Sequence, residues 1–308
     1  MMDSFSPLIG QPQAVELLTQ AVVKQRIAPA YLFVGPNGIG RSLAARCFVQ
    51  LLFDSNQNRI RQGNHPDLLW VEPTYQHQGQ RLTSKEAEEK GLKRKAPPVI
   101  RLEQVRQIIE FLSRPPLEAS RKIVVLEHAE TMAEAAANAL LKTLEEPGRA
   151  TLILIAPTQE SVLSTIVSRC QRIPFYRLNG TAMAEVLTQT GHRDILQHPV
   201  VFSVASGSPG DAIASYQQLQ AIPNEILQAV TKFPSSYREA LELARQIDKN
   251  LDTEAQLWLV DYLQQSYWEQ WRQPRIIEQL EQARKSLLSY AQPRLVWECM
   301  FLSVTSDQ

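Results

Sequence analysis

The spacing of apolar positions divides the chain into two stretches of different character. Ala14, Leu17, Leu18, Ala21 and Val22 recur at helical spacing and predict a helix within residues 6–28, led in by a turn at Ser6-Pro7-Leu8-Ile9-Gly10-Gln11. Short apolar runs at Tyr31–Val34, Leu68–Val71, Arg121–Glu127 and Thr151–Ala156 have the length of strands. The last two contain unbroken apolar stretches, Ile123–Leu126 and Leu152–Ala156, as parallel strands buried on both faces do. Helical patterns lie between them at Leu43–Phe53, Ile100–Leu112 and Ala129–Glu145, with stops at Pro115-Pro116 and Pro147-Gly148. This alternation over residues 30–177 predicts an α/β fold with a parallel sheet and right-handed crossovers. Residues 54–67 are polar and end in the turn Asn64-His65-Pro66-Asp67. Residues 76–98 lack periodicity, are rich in Gln, Glu, Lys and Arg, and read as a solvated, mobile insertion in a core of residues 1–177.

After Tyr176 strand-like runs nearly vanish. Helical patterns cover 181–191, 196–206, 209–218, 223–232, 236–248, 252–272, 274–289 and 292–303, with Gly207-Ser208-Pro209-Gly210 separating two of them. The second stretch is therefore all-α, with a small helical lid at 178–218 and a C-terminal helical domain at 219–308. Trp258, Trp268, Trp271 and Trp297 fall in the last block, as helix-packing core or, where exposed, as anchors of a subunit interface.

The first chemistry lies between a strand and a helix, at Gly35-Pro36-Asn37-Gly38-Ile39-Gly40-Arg41-Ser42. That is the context and spacing of a phosphate-binding loop. Gly35, Gly38 and Gly40 would let backbone N–H groups curl around phosphate oxygens, and the Ser42 hydroxyl could reach Mg²⁺. Arg41 stands where the pattern asks for lysine.

Composition limits the reading. Hydrophobic content of 44% and charged content of 21% suit a soluble globular protein. No apolar run approaches membrane-span length, and Met1-Met2-Asp3-Ser4-Phe5 is no signal peptide, so a cytoplasmic location without a membrane partner is expected. Cys47, Cys170 and Cys299 are scattered without CxxC spacing, which suggests neither disulfides nor a metal site. Zero net charge argues against a chain that coats nucleic acid alone, and leaves room for DNA contact through a local patch. The basic cluster Lys90, Lys93, Arg94 and Lys95 could meet phosphate or simply be solvated.

Three further stretches, with the loop at 35–42, carry a family resemblance. Residues 130–147, Glu-Thr-Met-Ala-Glu-Ala-Ala-Ala-Asn-Ala-Leu-Leu-Lys-Thr-Leu-Glu-Glu-Pro, resemble the helix after the Walker B strand of bacterial clamp-loader subunits. Thr165-Ile166-Val167-Ser168-Arg169-Cys170-Gln171 resembles their Ser-Arg-Cys motif, and Gly207-Ser208-Pro209-Gly210-Asp211-Ala212 lies where their lid carries the sensor 2 region. In order and spacing the chain resembles the delta-prime subunits of the DNA polymerase III clamp loader. The resemblance implies an AAA+ P-loop NTPase core, a helical lid and a C-terminal helical collar. Many such chains carry a cysteine-rich zinc module after the phosphate-loop helix; residues 48–169 here contain no cysteine, so no zinc is expected. His65 is read as a turn residue.

Position by position, the resemblance implies a site without the parts for hydrolysis. Arg41 keeps the charge, but its planar fork is not lysine's compact ammonium. Glu127 stands where the magnesium aspartate would be, and His128 where a catalytic glutamate is expected. The sensor 1 position falls in Ile155-Ala156-Pro157, and Gly210 replaces the sensor 2 arginine. The site formed by Gly35, Gly38, Gly40, Arg41 and Ser42 is thus a degenerate one: empty, or holding ATP or ADP weakly, with no cofactor required. Arg169 is implied to project into a neighbouring subunit's nucleotide site as an arginine finger; the plainer alternative is a surface arginine paired with a carboxylate. Cys170 is read as a small buried residue packing that turn. Asn138 and Lys142 face DNA, a neighbour or solvent.

The implied function is a clamp-loader subunit of a DNA-directed DNA polymerase holoenzyme that is not catalytic alone. Its partners would be tau/gamma-type ATPase subunits, a delta-type subunit, the sliding clamp and, through the complex, primed DNA. The alternatives are an active AAA+ ATPase, either tau/gamma-type or another motor, and a purely structural adaptor. A nucleic-acid-binding module acting alone lacks a groove-reading motif.

Overall fold

The computed structural model describes residues 2–53, 59–60, 64–92, 97–232 and 234–305. It divides into two compact units, Met1–Ala182 and Met183–Gln308. The first is built on a parallel sheet of strands β1 (Ala30–Val34), β2 (Leu68–Val71), β5 (Lys122–Leu126), β6 (Ala150–Ala156) and β7 (Gln171–Pro174), in the order β2-β5-β6-β1-β7. Its register places Ala30 beside Leu152, Val34 beside Ala156 and Pro174, and Ile123 beside Leu68 and Thr151. Strands β5 and β6 are buried at every position, which explains their unbroken apolar runs.

Alternating residues of the strands serve opposite faces. Leu32, Val124, Leu126, Leu152 and Leu154 pack with α4 (Leu102–Ser113) through Val105 and Ile108, and with α5 (Glu134–Glu145) through Ala136, Leu140 and Leu144. On the other face Tyr31 meets Phe48 of α2 (Arg41–Phe53) edge-on, ring centres 5.1 Å apart, and Phe33 meets Phe175 at 5.3 Å. Each fully buried Leu, Ile or Phe contributes about 1.5–3 kcal/mol, so the sheet's two faces fix the strand ends from which the loops depart.

The turn at 64–67 buries His65 and Asp67 and leaves Asn64 exposed. His65 is 4% exposed, its ring stacks on Phe53, and its Nδ1 accepts from the Asp67 N–H. The Asp67 carboxylate accepts backbone N–H groups from Leu117, Glu118 and Ala119 at 2.7–2.8 Å. Burial pushes its pKa up, but the three donors outweigh that and hold it below the usual carboxylate range.

Four details differ from the sequence expectation. First, the described part of 76–98 carries regular secondary structure. A hairpin joins β3 (Tyr75–His77) to β4 (Gln80–Leu82) through Gln78 and Gly79, both with positive φ, and α3 (Ser84–Glu89) follows, opened by a Thr83–Glu86 capping box. Lys90 lies among the described residues; Lys93, Arg94 and Lys95 lie outside them. Second, Ala129–Glu145 is not one helix. A 3-10 turn, Ala129–Thr131, precedes α5, because Ile100 takes the intervening backbone: its N–H bonds the Thr131 carbonyl and its carbonyl accepts from Ala133. Third, the segment before Arg169, for which no element is predicted, is a short helix, α6 (Ser164–Val167). Fourth, the sheet gains its fifth strand, β7, from residues too polar to read as one.

The second unit is helical throughout its described residues: α7 (Gly180–Gln189), which begins in the first unit, α8 (Pro199–Val204), α9 (Pro209–Ala221), α10 (Asn224–Lys232), α11 (Tyr237–Asn250), α12 (Thr253–Trp271), α13 (Pro274–Leu288) and α14 (Pro293–Thr305). Its core gathers Ile226, Leu243, Leu259, Leu263, Leu280 and Phe301, with Trp297 fully buried and its Nε1 donating to the buried Gln256. Trp258 packs partly buried against this core, while Trp268 and Trp271 are exposed. No helix among the described residues is long and apolar enough to cross a membrane.

Candidate functional site

The glycine-rich loop leaves the C-terminal end of β1 and enters α2, as its sequence predicts. Gly35 is obligatory for steric reasons: a Cβ there would stand 2.5 Å from the Phe175 carbonyl oxygen. Gly40, at φ +99°, would bring a Cβ within 2.9 Å of Leu8. The loop is therefore pressed against the segment that follows β7. Buried Gln11 ties the two together: its Nε2 donates to the carbonyls of Ile39 at 3.3 Å and Tyr176 at 2.7 Å, and its Oε1 accepts from the Tyr176 N–H at 3.0 Å.

The charged end of the loop is turned on itself. Arg41 is 6% exposed, and its guanidinium donates to the Asn37 side chain within the same loop. Ser42 Oγ donates to Glu127 Oε2 at 2.8 Å, which joins the loop to the residue after β5. His128, next in line, adopts the left-handed region at φ 51° and pairs through Nδ1 with Glu130 at 3.1 Å. The hydrogen bond to Glu130 raises the His128 pKa, partial burial and Arg41 oppose this, and the charges of Glu130 and Glu127 add to the rise. The backbone of the loop keeps its phosphate-loop course, with positive φ at Gly38 and Gly40. One arm of the Arg41 guanidinium donates to Asn37, the Ser42 hydroxyl donates to Glu127, and the residue after Glu127 is a histidine, not a carboxylate. No group of three His, Cys, Asp or Glu side chains suited to a metal ion occurs among the described residues.

The sensor 1 position is the end of β6, where the Ala156 carbonyl accepts from the Gly35 N–H. Gly210 lies in the second unit, at the start of α9 behind the N-cap Ser208, and contributes no side chain.

Arg169 belongs to a different end of the sheet. It sits between α6 and β7, two residues before Gln171, which pairs with Tyr31. The phosphate loop begins after Val34, which pairs with Pro174. A parallel strand at about 3.3 Å per residue separates the two by on the order of 10 Å or more along the sheet. The Arg169 side chain is 35% exposed; Nη2 donates to Glu145 Oε1 at 2.6 Å and Nη1 to the Thr165 carbonyl at 2.9 Å. Glu145 is the last residue of α5. Cys170 is half-buried against the core, and burial pushes its thiol up to about 12, which leaves it a protonated packing group. Asn138 and Lys142 are both exposed on α5.

The structure thus brings Gly35, Gly38, Gly40, Arg41 and Ser42 together with Glu127 and His128, and holds Arg169 apart from them. Two residues are not assigned by sequence reasoning. Gln11 directly precedes a helix with Pro12 in its first turn yet caps nothing, and a glutamine at an N-cap is unusual enough to be a signal. Glu145 lies inside the family-like stretch without any local pattern that marks its partner.

Comparison with known proteins agrees with this architecture. Residues 10–179 match the family model described as DNA polymerase III, delta subunit, and residues 181–304 match the cyanobacterial DNA polymerase III delta prime, C-terminal domain. The chain is 34% identical to DNA polymerase III subunit delta' of Bacillus subtilis over 200 residues, covering 61% of this chain and 53% of the relative. It is 25% identical to the tau subunit of the same organism over 242 residues, covering 73% of this chain and 39% of the relative. The chain spans about half or less of the length of these curated relatives. A gamma subunit-related protein of Thermotoga maritima has the same fold, with TM-score 0.57 at 16% identity, over 96% of this chain and 99% of that one. Matched over residues 10–179 and 181–304, the chain belongs to the DNA polymerase III delta-subunit family, with a C-terminal part similar to the delta prime C-terminal domain.

Proposed function

We propose that this protein works as a delta-prime-type subunit of a clamp loader: it turns over no ATP itself and supplies Arg169 to the nucleotide site of a neighbouring ATPase subunit. It assembles with tau/gamma-type ATPase subunits and a delta-type subunit through its C-terminal helices, and helps place a sliding clamp on primed DNA in the cytoplasm. Contact with DNA comes through the assembled complex and is salt-sensitive. The observation that carries this reading is the placement of Arg169. A partly exposed guanidinium set apart from its own phosphate loop supports a role at a site on another molecule. There it would stabilise charge developing on the transferred phosphoryl group, an effect of about 10³-fold or more when an arginine is supplied in trans.

The ion pair with Glu145 favours a second reading, in which Arg169 is structural and the subunit an adaptor. One experiment separates them. Arg169→Ala is assembled with the ATPase partners, and DNA-stimulated hydrolysis is followed under single-turnover conditions. The expected result is a complex that forms normally and loses turnover at the site facing this subunit; normal hydrolysis would leave only the adaptor. The purified chain alone should hydrolyse ATP no faster than background. Robust turnover that Arg41→Ala abolishes would instead make it an active ATPase.

A further inference from the structure

We infer that Glu145 is a positioning residue for Arg169: it aims the guanidinium at the neighbour's nucleotide before the neighbour arrives. The inference rests on the reading of Arg169 given above. A long arginine side chain at a surface turn is normally free to sample many rotamers, and freezing it on assembly costs part of the interaction it makes. Here the guanidinium is held at two points. Glu145 Oε1 takes Nη2 at 2.6 Å, and the Thr165 carbonyl takes Nη1 at 2.9 Å, with Ser168 Oγ a weaker third contact at 3.4 Å.

Both anchors are rigidly mounted. Thr165 lies in α6, whose Ile166 is fully buried, and Glu145 closes α5, whose Leu144 and Leu140 are core. The grip does not cover its cargo: the Arg169 side chain remains 35% exposed and that of Glu145 52% exposed. A guanidinium carries five N–H donors in a fixed fork, so it has more donors than these anchors take up. Holding a charged donor in its working orientation in advance is the arrangement from which electrostatic stabilisation of a transition state gains most. A carboxylate suits the task because it fixes the fork by charge and by geometry together.

The test uses the assembled complex with its ATPase partners and compares Glu145→Ala, Glu145→Gln, Arg169→Ala and the double variant. Glu145→Ala should lower kcat of DNA-stimulated hydrolysis by about two- to five-fold, the range of an exposed ion pair. The KM for ATP and the assembly measured by size-exclusion chromatography should not change. Glu145→Gln, which keeps a carbonyl acceptor, should recover part of the loss, and the double variant should be no worse than Arg169→Ala. Turnover of Glu145→Ala equal to or above that of the parent overturns the inference, and in the second case the pair parks Arg169 instead of aiming it. A defect that lies in assembly or in KM overturns it too. If Arg169→Ala itself hydrolyses normally, it is the underlying role of Arg169 that fails.

Discussion

His128 is held in a left-handed backbone conformation, where a non-glycine residue is uncommon, and its ring is turned toward Glu130. Because its pKa is raised in the folded state, protonated His128 contributes stability that is fully present below the ordinary value of 6.5 and is lost as pH rises through the folded value. Glu130→Gln removes the partner, so its destabilisation, read by urea unfolding, should be larger near pH 6 than near pH 8. Equal effects at both pH values would mean that the imidazole carries no charge there. At this scale the sequence was most informative where residue type dictates chemistry. The reading of Arg41, His128 and Gly210 as departures from a hydrolytic site rests on residue type alone and needs no coordinates. The destination of their side chains was not: nothing in a linear sequence says that Arg41 turns onto Asn37, or that Arg169 finds Glu145 twenty-four positions away.

Elements were legible to the extent that burial repeats along them. Strands β5 and β6 announce themselves because every position is buried, and α10 and α11 because their apolar residues keep one face. Strand β7 escaped because Gln171 and Arg172 are exposed on the outermost position of the sheet, where the apolar requirement lapses. The hairpin at 75–82 escaped because three-residue strands are too short for a period, although the Thr83–Glu86 capping box beyond it was present in the sequence. What no periodicity reveals is the tie between elements. Gln11 links the start of α1 (Pro12–Val23) to both the phosphate loop and the end of β7. Gln11→Ala strands the Tyr176 N–H and two carbonyls, and should cost about 1–3 kcal/mol of unfolding free energy in urea. The near-isosteric Gln11→Glu can still accept from Tyr176 but cannot donate to Ile39, so it should be destabilised as well. A neutral outcome for both would show that water takes over these bonds.

Two of the molecule's hydrophobic cores lie in different units. One gathers residues between Ala30 and Ile166 around the parallel sheet, and the other gathers residues between Ile222 and Val304 among helices. The helices at 199–221 belong with the second: α8 and α9 both pack on α12. A helical unit of this size buries enough apolar surface to fold unaided, and domains of roughly 50–250 residues commonly do. Residues 183–308 expressed alone should therefore be helical by far-UV circular dichroism and unfold in one cooperative transition. Four of the five tryptophans lie in this part, and Trp297 is fully buried with its Nε1 bonded to Gln256, so its emission should shift to the red in the same transition. In that fragment Trp297→Ala should lose about 3–5 kcal/mol, the range for emptying a large aromatic site in a core. The same substitution in the full chain should leave β-sheet unfolding of the first unit at its parent midpoint, since the core it empties is made of second-unit residues. Simultaneous loss of both units would show that the two cores unfold as one, and would tie the stability of the phosphate-loop region to the C-terminal helices.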